Sequence, residues 1–564
     1  MQILVWVFDV LFISSLVGVF PLSLAETTSP GVCSEADRAA LLAFKAKIVK
    51  DTTGILSSWI GRDCCEGDWE GVQCNPAGRV TTLAFQGPVK DSSMYMKGTL
   101  SSSLGSLPFL QVLVISGMKL ITGPIPDSFS KLTRLTQLVL EDNSLQGNIP
   151  SGLGLLSHLQ TLSLAGNHLK GPVPPSLGNL RNLGMINLGR NSLSGPIPAS
   201  LKNLHLLQSF DLSFNSLSGF IPEFLGQFRN ITFIDLSNNQ LSAHLPISMF
   251  NLVSLSYLSL SHNLLTGTIP EQVGNLKSLT SLSLSSNKFI GHIPASISRL
   301  QNLWSLNLSR NGFSDPLPDV SNRGIPSLLS IDLSFNNLSL GTVPKWITDR
   351  QLSDVNLAGC KLRGSLPRFT RPDSLSSIDL SNNFLTGSIS TFFTKMTSLQ
   401  KVCGSLSSIL NNRTSSFLEV IDVSNNLISG TIPEFSEGLN LKELNIGSNK
   451  IAGQIPSSIS NLIELERLDV SRNLITGTIP MSLGRLANLH WLDLSINRLT
   501  GRIPTSLLGI KFMRHASFRA NRLCGEIPQG RPYDIFPASA YAHNLCLCGK
   551  PMPPCRGKKQ ETSQ

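Results

Sequence analysis

LGNLRNLGMINLGRNSLSGPIPAS, residues 177–200, is one turn of a pattern that recurs along most of the chain. Its skeleton is L-x-x-L-x-L-x-x-N-x-L-x-G-x-I-P, and one asparagine marks each turn. Asn143, Asn167, Asn191, Asn215, Asn239, Asn263, Asn287 and Asn311 fall at intervals of 24. After a slip of one residue the pattern continues through Asn336, Cys360 and Asn383, and it returns at Asn426, Asn449, Asn473, Asn497 and Asn521. A unit this short cannot bury its own apolar side chains. It must stack on its neighbours, so the chain is expected to form a solenoid.

Alternation of leucines within the motif predicts a short strand in each turn, apolar side chains inward and the intervening residues outward. Stacked at about 4.8 Å, some eighteen such strands make a curved sheet roughly 80–90 Å along its arc. The marker asparagine is expected to turn inward and bond backbone groups that would otherwise be buried and unpaired. Cys360 at a marker position is read as a buried ladder residue, with a reactive thiol as the alternative. In the Gly-x-Ile-Pro segment, as at 195–198, Gly permits a tight turn, Ile fills the core and Pro removes an N–H on the exposed side.

Charged residues make up 15% of the 564 residues and the formal net charge is +10, a mild field that suits acidic partners such as a polyuronide cell wall. No basic run has the density of a nucleic-acid arm, so no nucleic-acid partner is expected. Residues 1–25 read as a signal peptide, with an uncleaved anchor as the alternative. No later stretch of ~20 apolar residues encodes a transmembrane helix.

Eight of the ten cysteines cluster at the two ends, and Cys360 and Cys403 stand alone in the repeats. Cys33, Cys64, Cys65 and Cys74 stand in front, and Cys524, Cys546, Cys548 and Cys555 at the back. Two such groups of four read as disulfide-stapled caps, each with three connectivities. A vicinal Cys64–Cys65 bond would be strained, and the favoured pairings are Cys33–Cys64, Cys65–Cys74, Cys524–Cys546 and Cys548–Cys555. Zinc is the competing reading, and the C-C and C-x-C spacings fit it poorly. No metal and no cofactor is expected. In the front cap ADRAALLAFKAKIV, residues 36–49, is expected to be an amphipathic helix that turns Leu41, Leu42, Phe44 and Ile48 toward the first repeat. Trp59 and Trp69 are expected to pack there too.

These features identify the repeat as a leucine-rich repeat, and its GxIP form resembles the plant extracellular type. The front (CSEADRAALLAFK, LSSW, DCC, GVQC) and the back (NRLCGEIPQG, YAHNLCLCGKPMPPC) resemble the end caps of polygalacturonase-inhibiting proteins and receptor-like proteins. The resemblance covers essentially everything after residue 30. Those inhibitors typically carry about ten repeats, against about eighteen here, and no kinase or membrane span accompanies them in this chain. The implied fold is an α/β solenoid, a right-handed curved superhelix with a parallel concave sheet and disulfide-capped ends. The expected parts are a signal peptide (1–25), an amino-terminal cap (26–79), the repeats (80–520) and a carboxy-terminal cap with a basic tail (521–564).

The pattern breaks once. From Asn383 to Asn426 is neither one period nor two, and about one repeat is read as lost or rewritten around Cys403. A poorly formed coil or local kink is expected at 400–416.

The outward positions carry whatever the solenoid binds. A column just before the marker reads Arg190, Phe214, Asn238, His262, Ser286, Arg310, Phe335, and neighbouring columns add Phe233, Tyr257 and Trp304. Aromatics and arginines are common interface anchors, so Arg190, Phe214, Phe233, Tyr257, His262, Trp304, Arg310 and Phe335 are the candidate ligand-binding residues, against the alternative that single exposed aromatics are ordinary. A second candidate group is Arg467, Arg472, His490 and Trp491. The acidic column Asp211, Asp235, Asp332, Asp379, Asp422, Asp469, Asp493 comes from the D-L-S-x-N form of the repeat and is read as structural before metal-binding. Sequons stand at Asn230, Asn307, Asn337 and Asn412. A glycan on Asn307 would block the face near Trp304. No catalytic constellation emerges, so a catalyst is not expected.

The expected function is a secreted recognition protein of the apoplast or cell wall, associated in one reading with the outer face of the plasma membrane. As the end caps imply, it would act in plant defence, binding a protein or peptide such as a pathogen polygalacturonase. The alternative is a soluble ligand-binding partner of a receptor kinase ectodomain, in signalling or development. A third reading is a structural wall protein held to pectin by its charge.

Overall fold

The computed structural model describes residues 32–87, 93–318, 320, 324–371, 374–390, 392 and 418–555. The expectations for 1–25, Cys403, Asn412, 400–416 and the basic tail lie outside the described residues.

Most turns of the repeat lay down a three-residue strand, such as Met185–Asn187 or Phe233–Asp235, with its central residue buried and its outer two half-buried. These strands pair in parallel from Val80–Gln86 to His515–Ser517, and with the antiparallel Val72–Cys74 they form one sheet of nineteen strands. The register advances by one repeat, so Met185 faces Ser209 and Ile186 faces Phe210. Val72–Cys74 pairs only with Val80–Gln86, and His515–Ser517 only with Trp491–Asp493, which leaves both edges open among the described residues. The sheet crosses the irregular interval without a gap, because Ser377–Asp379 pairs directly with Val420–Asp422.

The marker asparagines tie one turn to the next. Asn191 Nδ2 donates to the carbonyls of Leu164, Leu188 and Gly189 at 3.0, 3.2 and 3.1 Å, and its Oδ1 accepts the Leu169 N–H at 3.0 Å. The ladder also spans the irregular interval: Asn426 Nδ2 donates to the Leu380 carbonyl at 3.0 Å and Asn426 Oδ1 accepts from Leu385 N–H at 2.9 Å. Cys360 occupies its marker position fully buried, with Sγ 3.4 Å from the Leu333 carbonyl oxygen, and burial pushes its thiol pKa up to about 12. Such a group is a packed ladder residue without thiolate reactivity.

A second sheet was not anticipated. Eight segments just after the markers, such as Ser192–Gly195 and Gly312–Ser314, join Ile48–Asp51, Met96–Thr99 and Lys119–Gly123 in a sheet of eleven strands. The polar S-x-S-G text of those eight shows little apolar alternation, because only one residue of each, such as Leu193, is buried. Between the sheets the chain makes tight 3-10 turns such as Ala199–Asn203, entered through Pro198, whose fixed φ starts the turn. Leu201 and Leu204 from that turn are fully buried.

The front cap departs from expectation at one point. The helix spans Glu35–Lys45 and stops short of Ile48, which lies in the strand Ile48–Asp51, paired antiparallel with Met96–Thr99. β-branched Ile48 and Val49 favour a strand, and Gly98 lets it approach, since a Cβ there would lie 2.2 Å from the Lys47 carbonyl oxygen. Leu41 and Phe44 are fully buried, with Leu42 half-buried beside them. Trp59 and Trp69 are also buried, their rings stacked at 5.1 Å. Disulfides join Cys33 to Cys64, Cys65 to Cys74, Cys524 to Cys546 and Cys548 to Cys555. At the back, Tyr533 and Tyr541 are fully buried against Phe518, and Tyr541 Oη donates to the Tyr533 carbonyl at 2.7 Å.

Candidate ligand-binding face

Because only the central residue of each strand is buried, the outer two form columns one repeat apart on the concave sheet. Phe233 and Tyr257 hold the same position in adjacent strands, and their rings stack at 4.6 Å and 7°. Trp304, half-buried, stands one residue ahead of the strand Ser305–Asn307.

The column before the marker lies elsewhere than expected. Arg190, Phe214, His262, Arg310 and Phe335 are not on the strands. They sit in the turn that follows, each in the left-handed conformation with φ between 51 and 54°. The turn is what swings the marker asparagine back under the sheet, and it leaves the preceding side chain on the rim. Phe214 is 54% exposed and Phe335 40%. Arg310 lies over Phe335 at 4.7 Å, and Arg190 Nη2 pairs with Asp142 Oδ1 at 3.1 Å. That pair spans two repeats because Gly166 stands between: a Cβ there would meet Asp142 Oδ1 at 2.2 Å. The candidate residues therefore form a strand group, the stacked Phe233–Tyr257 pair with Trp304 two strands further on in the neighbouring column, and a rim (Arg190, Phe214, His262, Arg310, Phe335).

The second candidate group is more tightly knit and larger than expected. Arg467 lies over Trp491 at 4.7 Å, and Trp491 stacks on His515 at 3.9 Å. Arg467 Nε is 3.3 Å from Glu443 Oε1, close enough for attraction but off line for a hydrogen bond. Glu443, Arg467, Trp491 and His515 thus form one ladder across four adjacent strands. Beside it Lys442 pairs with Glu419 at 3.0 Å, and His490 lies 3.6 Å from Glu466. Arg472 stands apart on the rim, with φ 52°. Glu443 and His515 were missed in the sequence, although their spacing from Arg467 and Trp491 was readable.

The acidic column has a local role. Asp211, Asp235, Asp332, Asp379, Asp422, Asp469 and Asp493 each accept a hydrogen bond from the backbone N–H of the serine two residues on, at 2.8–3.0 Å. Asn187 and Asn445 make the same bond to the following glycine. Burial, the largest influence, raises the carboxyl pKa of Asp332, Asp379 and Asp422, while bonds from Ser334, Ser381 and Ser424 partly offset it. A raised folded-state pKa means the folded chain keeps protons that the unfolded chain has released. Stability should therefore rise as pH falls from neutral toward the usual carboxylate range, then level off below it. An Asp332→Asn, Asp379→Asn, Asp422→Asn variant should flatten this slope between about pH 7 and about pH 4, a window that reaches the usual carboxylate value from above. Urea midpoints at the two values check it, and a slope equal to wild type contradicts it.

Among the sequons, Asn230 and Asn337 are exposed. Asn307 is half-buried in a concave strand, and its Oδ1 accepts from Ser309 N–H at 3.1 Å and Ser309 Oγ–H at 2.7 Å.

The leucine rich repeat N-terminal domain model matches residues 34–75. Leucine rich repeat models match 229–289, 254–313 and 439–499, and also 158–180, 206–228, 374–396 and 417–439. DNA damage-repair/toleration protein DRT100 of Arabidopsis thaliana is 35% identical over 122 residues, 20% of this chain and 32% of that protein. Polygalacturonase inhibitor 1 of Oryza sativa subsp. japonica is 32% identical over 115 residues, again 20% and 32%. The matches thus span about a third of the length of these curated relatives. Similarity to solved structures reaches further. The ectodomain of the plant membrane receptor kinase GASSHO1/SCHENGEN3 from Arabidopsis thaliana, in complex with CASPARIAN STRIP INTEGRITY FACTOR 2, is 32% identical over 82% of this chain and 56% of that one, at TM-score 0.62. The Arabidopsis receptor kinase HAESA, in complex with the peptide hormone IDA and the co-receptor SERK1, is 27% identical over 93% and 100%, at TM-score 0.61.

Proposed function

The chain is a plant-type leucine-rich-repeat protein, and from that premise we propose that it is a secreted, non-catalytic recognition protein whose concave face binds a peptide or a segment of another protein. The observation that carries this reading is the stacked Phe233–Tyr257 pair with Trp304, half-buried on an open parallel sheet. Stacked aromatics offer large rigid contact area at little entropic cost, which is what a binding hot spot needs. The rim residues Arg190, Phe214, His262, Arg310 and Phe335 border the same stretch. No helix among the described residues is long and apolar enough to cross a membrane.

Two finer roles follow from different likenesses. The end caps and the similarity to polygalacturonase inhibitors support a defence role, inhibiting a pathogen polygalacturonase. The longer similarity to ectodomains solved with a peptide hormone and a co-receptor supports a soluble partner of a receptor kinase. A gel-diffusion assay against a panel of fungal polygalacturonases separates them: the inhibitor role predicts smaller digestion zones. Unchanged zones, with co-purification of a receptor ectodomain, would leave the second role standing.

Either role requires a bare concave face. Glycopeptide mass spectrometry on secreted protein should find Asn307 unmodified, and a glycan there would rule out the cluster around Trp304 as the ligand surface.

A further inference from the structure

Of the chain's nine histidines, only His490 and His515 stand in or directly before a strand of the concave sheet. They sit on consecutive turns, and the His490 carbonyl accepts the N–H groups of Arg514 and His515 at 2.8 and 3.1 Å. Each imidazole already has a partner that responds to charge. His490 Nε2 lies 3.6 Å from Glu466 Oε2. His515 stacks on Trp491 at 3.9 Å and 17°, and Arg467, from the strand before, lies over the same indole at 4.7 Å.

Charge on this end of the face is close to balance. Over the last five strands and the residues directly beside them stand Glu419, Asp422, Glu443, Glu466, Asp469 and Asp493, against Lys442, Arg467, Arg514 and Arg519. Carboxylates thus exceed cations by two. Glu464 stands on the flank, where Asn488 Nδ2 donates to it at 3.3 Å. The cap beyond the last strand carries Glu526, Arg531, Asp534, His543 and Lys550.

Histidine is the side chain whose charge ordinarily changes between about pH 8 and about pH 5. Two imidazoles that each gain a proton cancel the excess of two carboxylates. Burial, the largest influence, raises the carboxyl pKa of Glu443 and of Asp422, so these groups lose charge in the same direction as the medium turns acid. A charged His515 also places two cations on one indole, with Arg467 already held 3.3 Å from Glu443 Oε1.

We propose that this end of the concave face holds a basic segment of a partner protein at neutral pH and releases it in acid, with His490 and His515 as the groups that sense the change. The proposal rests on the reading of the concave sheet as a ligand surface and adds its regulation. A basic segment fits because carboxylates outnumber cations here until the two histidines are charged.

The test uses the purified full chain and two synthetic peptides, one bearing several lysines and a twin bearing aspartates at the same positions. Without peptide, tryptophan emission should fall between about pH 7.5 and about pH 5.5, because a protonated imidazole in contact with an indole quenches it. His515→Gln and Trp491→Phe should each abolish the fall, and His262→Gln, on the rim, should leave it. The lysine peptide should bind wild type at least about fivefold more weakly at the acid value, and the aspartate twin should show no such loss. The His490→Gln, His515→Gln variant, with an unchanged circular dichroism spectrum, should hold the lysine peptide within about twofold at both values. Emission that does not respond to pH, or an undiminished acid loss in the double variant, would overturn the proposal. So would absence of lysine-peptide binding at either pH, which would leave the Phe233–Tyr257 stretch standing as a ligand surface.

Discussion

Trp59→Ala is expected to destabilise the amino-terminal cap by about 3–5 kcal/mol, the usual cost of removing a large buried aromatic. Trp59 is 2% exposed, stacks on Trp69 at 5.1 Å and touches Phe44 and Phe85 at centroid distances of 6.3 and 5.6 Å. Its Nε1–H donates to the Glu70 carbonyl at 3.0 Å, so the deletion also removes a bond that ties the helix-side core to the loop before Val72–Cys74. The effect should be felt beyond the cap, because Phe85 belongs to the first parallel strand and a solenoid repeat is stable only when both faces are covered. Hydrogen exchange should show faster amides through 72–86, and the thermal midpoint should fall. Protection equal to wild type would mean that this cap does not hold the first repeat.

The second large effect is expected at a marker. Asn263 Nδ2 donates to the carbonyls of Leu236, Leu260 and Ser261 at 2.9, 3.2 and 3.2 Å, and its Oδ1 accepts the Leu241 N–H at 2.9 Å. Alanine there strands the buried Leu241 N–H, while the Leu236 carbonyl keeps Asn239 Nδ2 at 3.2 Å. At roughly 1–3 kcal/mol for the stranded group, with about 0.5–1.5 kcal/mol for each further bond lost, the loss should be about 3 kcal/mol. Interactions in a solenoid are between nearest neighbours, so urea unfolding should become broader as well as earlier. Asn182→Ala serves as the control. Asn182 is exposed and donates only to the Ser157 carbonyl, so its loss should stay within about 0.5 kcal/mol. Equal losses at the two sites would contradict the ladder.

The main sheet was legible because its signal is redundant: each turn repeats the same buried leucines and the same asparagine. Cys360 could be placed among the markers for the same reason. What was not legible had no redundant signal. Strands such as Ser192–Gly195 bury a single leucine and look like loop text, and Ile48 continued an apolar pattern that tertiary pairing turned into a strand. The rim column was misplaced because spacing alone does not reveal a left-handed residue, and Arg190, Phe214 and Phe335 are not among the types that favour it. The Glu443–Arg467–Trp491–His515 ladder was half seen, since attention to single residues missed that equal positions one repeat apart become neighbours. The ligand itself lies in outward side chains that vary without touching the fold.

The central claim is that the concave sheet is the ligand surface. Its most direct test is affinity capture from apoplastic fluid, followed by quantitative mass spectrometry, on wild-type protein and on three variants. Phe233→Ala, Tyr257→Ala, Trp304→Ala removes the strand group, Arg467→Gln, Trp491→Ala removes the ladder, and Phe512→Ser alters a residue 75% exposed outside the concave strands. Loss of two or three hot-spot side chains should lower retention of a specific partner by at least about thirtyfold, equivalent to ~2 kcal/mol. The account predicts a partner that is held by wild type and by the Phe512 variant and lost from at least the Phe233, Tyr257, Trp304 variant. A partner retained equally by both concave variants, or lost only from the Phe512 variant, would contradict it.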